Sequence, residues 1–414
     1  MRSRRRREQR HDRGALPLQV LAFIAGGFVL LSAVRVISGA DEITSSGTLA
    51  VTLTATMPIA LAGLGGLWAE RAGVVNIGLE GMMIMGTLGA GYVTYHHGVL
   101  AGVLGAIAFG MIGGALHALA TVIFGVDHIV SGVAINIIAA GIAGFLAEAW
   151  FTDLPGGGPT QSPSLADPGK INLSFLSEPA SNLEDKHWFL VSDLASVVEM
   201  FTKNLSVLTL LGLALIVGSF FLLWRTRFGL RLRSCGEAPE AAESVGINVY
   251  RYKFTAVMIS GGLAGLGGAY LALVSTSGFQ VGQTQGRGYI GLAAMIFGNW
   301  RPTGMFMGSG LFGYTQALPF RDGTHSVHAL LLVVAGLLVA VAVIQWLKGS
   351  RRNAIISVVL GAVFLTWYLT TDIVPADFTK MAPYVTTMLV LAFAAQRLRM
   401  PAADGRIYRK GSSG

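Results

Sequence analysis

The chain has 414 residues, of which 53% are hydrophobic and only 13% are charged, and its mean hydropathy is +0.61. Soluble domains carry about 25% charged residues, so this composition excludes an ordinary soluble protein and indicates an integral membrane protein. The net charge of +8 would suit a nucleic-acid partner, but the basic residues lie mostly in short loops and at both ends, as membrane topology requires. The lone Cys235 excludes an internal disulfide and a metal site built from cysteines.

Apolar runs of roughly the 20 residues needed to cross a bilayer follow one another along the chain. The first run, Leu16–Ile37, is longer than the apolar region of a cleaved signal peptide, so we interpret it as an uncleaved span. The other runs are Leu49–Trp68, Val74–Tyr95, Val99–Phe124, Ile129–Phe151, Leu205–Trp224, Phe254–Val274, Val327–Leu347, Ile355–Leu369 and Pro383–Ala395.

One apolar region is interrupted where the others are continuous. The run Gly288–Phe297 has only about half the length of a span, and a second run, Met305–Leu318, follows the sequence GNWRPTG. A half-length helix cannot cross alone and must be buried against protein, as the broken helices of transporters are. The sequence therefore predicts an all-α integral membrane protein, a polytopic bundle of about 10–12 transmembrane helices with one short or broken helix pair.

The charges between the runs predict the orientation and the segments of the chain. Residues 225–253 begin with a cluster of arginines, whereas residues 152–204 are polar and acidic with few basic residues. By the positive-inside rule, the first segment is cytoplasmic, the second is an outer loop, and both termini are cytoplasmic. We expect a basic tail (1–15), an extra first helix and outer loop (16–48), a core (49–347), additional C-terminal helices (348–400) and a second tail (401–414).

Two glycine-rich stretches are similar to each other. PIALAGLGGL begins at Pro58 and SGGLAGLGGAY begins at Ser260, and each precedes one of the most distinctive motifs in the chain. This leaves open an internal repeat of the kind from which many transporters are built. Small residues that let membrane helices approach closely would produce the same short match.

Motifs of common enzymes are absent from the sequence. No GxxxxGK[ST] phosphate loop, HExxH zinc motif or GxSxG nucleophile motif occurs. We therefore expect that the chain is not an enzyme and that it binds no cofactor or metal.

Three stretches together resemble a known family. They are ERAGVVNIGLEGMM (Glu70–Met83), GLRLRSCGEAPEAAESVGINVYRYK (Gly229–Lys253) and GRGYIGLAAMIFGNWRPTG (Gly286–Gly304). They are similar to the permease subunits of bacterial ABC importers, in the family that moves branched-chain amino acids and simple sugars such as ribose. The wording of the first and third stretches resembles the nucleoside-importing branch. The likeness covers about residues 49–347.

The resemblance implies a complex in the bacterial plasma membrane. Two permease subunits, often non-identical, would sit on ABC ATPase subunits that use the ATP, and an extracellular substrate-binding lipoprotein would deliver a nucleoside. Ribose or another simple sugar is the alternative substrate. A proton-coupled secondary transporter, with Glu80 or Glu148 as its proton site, is a further alternative.

Polar residues in apolar surroundings are the candidates for the substrate path. Asn76 and Glu80 lie four residues apart, which predicts one helix face. They either line the path or form a structural polar lock beside glycines, and the sequence does not choose between these. The weaker candidates are Ser131, Asn136, Phe297 and Asn299, whereas Trp300 and Arg301 are interpreted as residues at the membrane interface.

The cytoplasmic loop is the candidate contact with the ATPase. Residues Pro239–Val245 predict a short helix, with Pro239 in the first turn and Gly246 after its end. We expect Ala241 and Ala242 to give it a small face for docking, and Glu237, Glu240 and Glu243 to meet basic residues of the partner. An ordinary solvated loop is the alternative. The complete candidate set is Gly236, Glu237, Pro239, Glu240, Ala241, Ala242 and Gly246.

Overall fold

The structure is a computed structural model that describes residues 18–321, 323–375, 377–379, 381 and 398–411. These residues form helices and one two-stranded antiparallel sheet of β1 (Lys170–Ile171) and β2 (Leu205–Ser206). The helices are α1 (Leu18–Ser38), α2 (Ser46–Arg71), α3 (Leu79–His97), α4 (Val99–Ala118), α5 (His128–Phe151), α6 (Ser174–Glu184), α7 (Val191–Thr202), α8 (Val207–Arg225), α9 (Arg227–Glu237), α10 (Pro239–Ser244), α11 (Val249–Tyr270), α12 (Arg287–Phe297), α13 (Pro302–Ala317), α14 (Gly323–Leu347) and α15 (Arg351–Thr370).

The predicted all-α membrane bundle is confirmed. Within the described ranges, seven helices are long and apolar enough to cross a membrane, and they include α2, α4, α5, α8, α11, α14 and α15. The other predicted runs before residue 371 correspond to α1, α3, α12 and α13. The last one, Pro383–Ala395, lies outside the described residues.

Helices α2 and α11 form the centre of the bundle, and the two glycine-rich stretches lie against each other there. A methyl group on Gly65 of α2 would lie 2.6 Å from the carbonyl oxygen of Ser260, and one on Gly267 of α11 would lie 3.0 Å from that of Pro58. Such close backbone contact is the main source of dispersion energy between helices in lipid. The high glycine content is therefore explained by packing at the centre of the fold.

The two glycine-rich helices are also followed by similar arrangements. An irregular segment, residues 72–78, links α2 to α3, and another, residues 276–286, follows the π-helical turn (Leu271–Ser275) that ends α11 and leads to α12. This correspondence supports an internal repeat, which stays a prediction.

The broken helix pair consists of α12 and α13. Helix α12 has 11 residues, and a turn at residues 298–301 separates it from α13, which begins with Pro302 at its first position. Asn299 and Trp300 have φ angles of 55° and 53°, in the left-handed region. This strained turn reverses the chain within four residues.

The predicted outer loop, residues 152–204, is called here the outer segment and contains more structure than a polar loop. Helices α6 and α7 pack on each other, and Glu184 at the end of α6 accepts a hydrogen bond from the backbone N–H of Ser46 (2.8 Å), at the start of α2. Arg35 of α1 forms an ion pair with Asp193 of α7 (Nε–Oδ1 2.9 Å). Both side chains are almost fully buried, so α1 is joined to the outer segment.

Candidate functional site

Glu80 in the first turn of α3 accepts hydrogen bonds from the start of α12. Its Oε1 accepts from the N–H of Gly286 (2.9 Å), and its Oε2 accepts from the N–H of Gly288 (2.7 Å). The first N–H groups of a helix lack partners within the helix, and a negative charge there is favoured by the helix dipole. Glu80 thus caps the broken helix, across a separation of more than 200 residues.

The close approach of α3 and α12 depends on the absence of a side chain at one position. A methyl group on Gly288 would lie 2.6 Å from both the backbone N and the Cα of Glu80. Any larger residue would push the N–H of Gly288 away from the carboxylate. Gly288, the second glycine of the GRG sequence, is therefore required by this contact.

Asn76 does not lie on the helix with Glu80, which corrects the prediction of a shared helix face. It lies in the irregular segment before α3, where its Oδ1 accepts from the N–H of Gly78 (3.0 Å) and its Nδ2 donates to Ser260 Oγ of α11 (2.8 Å). An asparagine that bonds its own backbone two residues on favours a turn over a helix. That local bond explains why the helix starts later than the apolar run.

Two buried histidines hold the same irregular segment. His117 donates from Nε2 to the carbonyl oxygen of Val75 (3.0 Å), because that oxygen can only accept, and its Nδ1 then accepts from Ser131 Oγ (2.9 Å). His128 Nδ1 accepts from the N–H of Val75 (3.2 Å). Ser131, a predicted path residue, is therefore bound to a histidine that fixes the segment beside Asn76.

Asn136 of α5 completes a polar network around the start of α3. Its Oδ1 accepts from the N–H of Gly81 (2.7 Å), and its Nδ2 donates to the carbonyl oxygen of Ile77 (3.0 Å) and to the hydroxyl of Tyr289 in α12 (2.9 Å). The structure brings four predicted residues into this network, namely Asn76, Glu80, Ser131 and Asn136. Their role in the substrate path stays a prediction, because every contact described here is to the protein itself.

Phe297 and Asn299 lie apart from this network. The ring of Phe297 packs against that of Phe312 in α13, with centroids 6.0 Å apart. Asn299 lies in the strained turn, where its Oδ1 accepts from the N–H of Arg399 (2.7 Å). These two residues belong to the α12–α13 pair and its turn.

Trp300 is not an exposed residue at the membrane interface, as we expected, but a buried one. It is 4% exposed, and its Nε1 donates to Glu70 Oε2 at the end of α2 (2.6 Å). The neighbouring Arg71 donates from Nε and Nη2 to the carbonyl oxygen of Trp300 (2.9 and 2.6 Å). The end of α2 is therefore hydrogen-bonded to the turn between α12 and α13.

The short helix expected in the predicted cytoplasmic loop is present as α10, and Gly246 follows it with a φ angle of 82°. Gly236 lies against the backbone carbonyl of Arg71, and Glu237 forms a long ion pair with Arg71 (3.9 Å). The loop that includes α9 and α10, called here the coupling loop (residues 226–248), thus contacts the end of α2 directly.

The expectation for Ala242 in the coupling loop needs correction. Ala242 is 3% exposed and packs with Cys235, Val249 and Tyr408, so it does not belong to an outer docking face, whereas Ala241 is exposed. Glu243 accepts a hydrogen bond from the hydroxyl of Tyr408 (2.5 Å), and Glu237 accepts one from the N–H of Ala402 (3.2 Å). These carboxylates already have partners near the C-terminus of the chain.

The coupling loop also borders an open groove of about 820 Å³, lined on one side by α9 and on the other by α10 and α11. Leu230 and Val245 beside it are exposed by 61% and 75%. Arg231 and Arg251 add positive charge to the lining. Exposed apolar side chains with a charged rim are typical of a protein-binding surface.

Sequence reasoning missed several residues of these sites. Burial of His117, His128 and Trp300 depends on contacts far along the chain, and no local pattern indicates it. Glu70 and Arg71, two charged residues directly after the apolar run that ends at Trp68, end α2 inside the protein. Among the described residues, no group of three or more histidine, cysteine, aspartate or glutamate side chains is placed to hold a metal ion.

Comparison with known proteins gives several relatives over most of the chain. The nucleoside ABC transporter permease protein NupC of Lactococcus lactis is 33% identical and covers 85% of this chain and 93% of its own. The guanosine ABC transporter permease protein NupQ of Bacillus subtilis is 32% identical, over 87% of this chain and 95% of its own. The putative glucose ABC transporter permease protein TsgC13 of Haloferax volcanii is 30% identical, over 88% and 98%. No solved structure matches significantly.

Lactococcus lactis and Bacillus subtilis each have a second, more distant relative of this chain. NupB of Lactococcus lactis is 23% identical over 72% of the chain, and NupP of Bacillus subtilis is 25% identical over 73%. The alignments to NupC and NupQ also extend beyond residues 49–347, which make up less than three quarters of the chain. The likeness therefore includes part of the flanking segments, which we expected to be additions to the core.

A family profile covers the central part of the chain. The profile described as branched-chain amino acid transport system / permease component matches residues 48–343. With the helical membrane bundle, this match makes the chain a member of that family of multi-pass permease components.

Proposed function

We propose that this chain is the transmembrane permease subunit of an ATP-driven importer and forms the translocation path for nucleosides. The observation that carries the proposal is the likeness to NupC and NupQ, which are named as nucleoside and guanosine permeases and align over almost their whole length. The chain itself catalyses no reaction and binds no cofactor. ATP is hydrolysed by a separate ATPase subunit.

The coupling loop is the surface on which the ATPase docks. Its groove offers exposed Leu230 and Val245 for apolar contact, with arginines at the rim. Glu240 and Ala241 on α10 are exposed and complete this surface. Movement of the loop would pass through Gly236 and Glu237 to Arg71, against which both lie.

Arg71 carries this movement to the broken helix. It holds the carbonyl oxygen of Trp300, and a displaced α2 would therefore displace the turn between α12 and α13. At its other end α12 is fixed to α3 by the Glu80 cap. We infer that α12 tilts about this cap when the ATPase closes, and that the tilt opens or closes the path.

The partners follow from the family and from the paired relatives. A second permease subunit of different sequence would complete the path, as the presence of NupB beside NupC and NupP beside NupQ supports. An extracellular binding lipoprotein would deliver the substrate to the outer segment. The protein would lie in a bacterial plasma membrane with both termini in the cytoplasm.

Uptake measurements distinguish the substrates. Cells that lack the gene should lose uptake of radiolabelled guanosine, adenosine or uridine, with ribose and glucose uptake unchanged. The putative glucose permease TsgC13 makes a sugar the second candidate, and loss of sugar uptake alone would support it. Uptake that collapses with a protonophore while ATP is held constant would contradict an ATP-driven importer.

A further inference from the structure

The C-terminal residues 399–410 lie across the inner end of the bundle and contact five different elements. The N–H of Arg399 donates to Asn299 in the turn between α12 and α13 (2.7 Å), and that of Ala403 donates to the carbonyl oxygen of Gly236 in α9 (2.9 Å). The hydroxyl of Tyr408 donates to Glu243 in α10 (2.5 Å). The N–H of Lys410 donates to the hydroxyl of Tyr250 in α11 (3.3 Å).

The fifth contact is with α2, through a buried pair of carboxyl groups. Asp404 is 7% exposed and lies within hydrogen-bonding reach of Glu70, which is 3% exposed. No donor with good geometry faces either oxygen of Asp404 among the described residues. A buried carboxyl without a donor is costly, and one proton shared between the two groups satisfies both. The segment is thus attached at the end of α2 as well.

The point where these elements meet leaves no free space. A methyl group on Gly73, just after α2, would lie 3.0 Å from the Cα of Gly236 and 3.2 Å from the carbonyl oxygen of Ala403. The ring of Tyr408 packs in one apolar cluster with Cys235 and Val249. The segment is therefore packed between the coupling loop and the rest of the bundle.

We propose that residues 399–410 form a strap that binds the coupling loop to the end of α2 and to the α12–α13 turn, so that these parts move as one body. The proposal rests on the proposed function, since the movement is the one that the ATPase imposes. Without the strap, the loop would still contact α2 through Gly236, through the ring of Phe228 on Trp68, and through the 3.9 Å ion pair of Arg71 with Glu237. It would lose the contacts that tie it to the α12–α13 turn through the strap, so the ATPase could move the loop with less movement of the broken helix.

The test uses the complete complex in lipid vesicles and compares two truncations. Ending the chain after Leu398 removes the strap, and ending it after Lys410 removes four residues beyond it. We expect the first truncation to lower guanosine uptake per ATP hydrolysed at least fivefold, with the ATPase still bound and active, and the second to change nothing. Equal uptake per ATP in both truncations would overturn the proposal.

Two point variants serve if the shorter chain does not assemble. Ala403→Pro removes the N–H that donates to Gly236, and Tyr408→Phe removes the hydroxyl that donates to Glu243. Both should lower uptake per ATP in the same direction, with Ala403→Pro the stronger. Wild-type coupling in both variants would contradict the strap.

A cross-link tests whether the strap stays attached during transport. Ala402→Cys and Glu237→Cys, in a Cys235→Ala background, place two thiols where the strap meets α9. A short bismaleimide should leave the uptake rate of this variant unchanged, because the two parts move together. Loss of uptake on cross-linking would mean that the segment must detach, and would overturn the proposal. If the wild-type complex imports no nucleoside with ATP, the proposed function fails instead.

Discussion

At the scale of single residues, substitutions of Glu80 test whether this side chain has a structural role or a role in transport. Replacing it by alanine leaves the buried N–H of Gly288 and the half-buried N–H of Gly286 without this acceptor. Each such group costs about 1–3 kcal/mol, so we expect Glu80→Ala to lower the free energy of unfolding by about 2–4 kcal/mol. Glu80→Gln keeps one acceptor oxygen and should lose about half as much. The midpoint of thermal unfolding in detergent measures this.

The matched control is Glu148, which is exposed on α5. Glu148→Ala should leave the unfolding midpoint unchanged. Normal stability of Glu80→Ala combined with lost uptake would contradict the cap and support a residue of the substrate path.

Asp404 makes the attachment of the strap depend on pH. Burial raises the pKa of this carboxyl from 3.8 to about 7, while the hydrogen bond with Glu70 and the charges of Lys253 and Arg71 act in the opposite direction. Between about pH 4 and pH 7 the attached strap holds a proton that the detached strap would release. Attachment therefore weakens as the pH rises through this range and changes no further above about pH 7.

Limited proteolysis of the C-terminal segment measures this dependence. Cleavage should be slowest near pH 4, should increase up to about pH 7 and should change no further at higher pH. The Asp404→Asn side chain cannot lose a proton. The cleavage rate of this variant should therefore change with pH only as the activity of the protease itself changes. An equal pH response in wild type and Asp404→Asn would contradict the shared proton.

At the scale of elements, α1 is attached to the outer segment by one buried ion pair. Asp193 also accepts hydrogen bonds from the hydroxyls of Ser32 and Thr44. Breaking a buried pair by removing one partner costs about 3–5 kcal/mol, so Arg35→Leu should destabilise the protein by that amount. Replacing both partners by leucine should recover most of the loss. The exposed pair of Lys170 with Asp167 (2.9 Å) serves as the control, since such pairs contribute about 0–1 kcal/mol.

The sequence predicts helices well where hydrophobicity alone decides them. The runs that became α2, α4, α5, α8 and α11 agree with the structure to within a few residues, because lipid requires every backbone group to be paired within the segment. The length of the Gly288–Phe297 run likewise reveals the broken helix. Pro239 and Gly246 indicate where α10 begins and ends, because the backbone preferences of proline and glycine act locally.

The sites are less predictable because they depend on contacts between distant residues. Asn76 leaves the helix through its bond to Gly78, and the segment around it is fixed by His117 and Ser260. Trp300 is buried by Glu70, some 230 residues away. The pattern of a single sequence indicates which residues are polar in apolar surroundings, but it does not indicate which of them contact one another in the fold.

At the scale of the whole molecule, a series of contacts leads from the coupling loop to the broken helix and holds that helix at both ends. Arg71 and Trp300 connect the end of α2 with the α12–α13 turn, and Glu80 connects α3 with the start of α12. The loop lies against Arg71 at one end of this series. This arrangement can convert movement at an ATPase surface into movement of α12, as a permease subunit requires.

The most direct test of this account is transport by the purified complex in lipid vesicles, with this chain, its second permease, the ATPase and the binding protein. With ATP supplied on the ATPase side, guanosine or another nucleoside should accumulate against its gradient, and neither a non-hydrolysable ATP analogue nor a proton gradient should replace ATP. Accumulation driven by a proton gradient in the absence of the ATPase, or by ATP for sugars only, would contradict it.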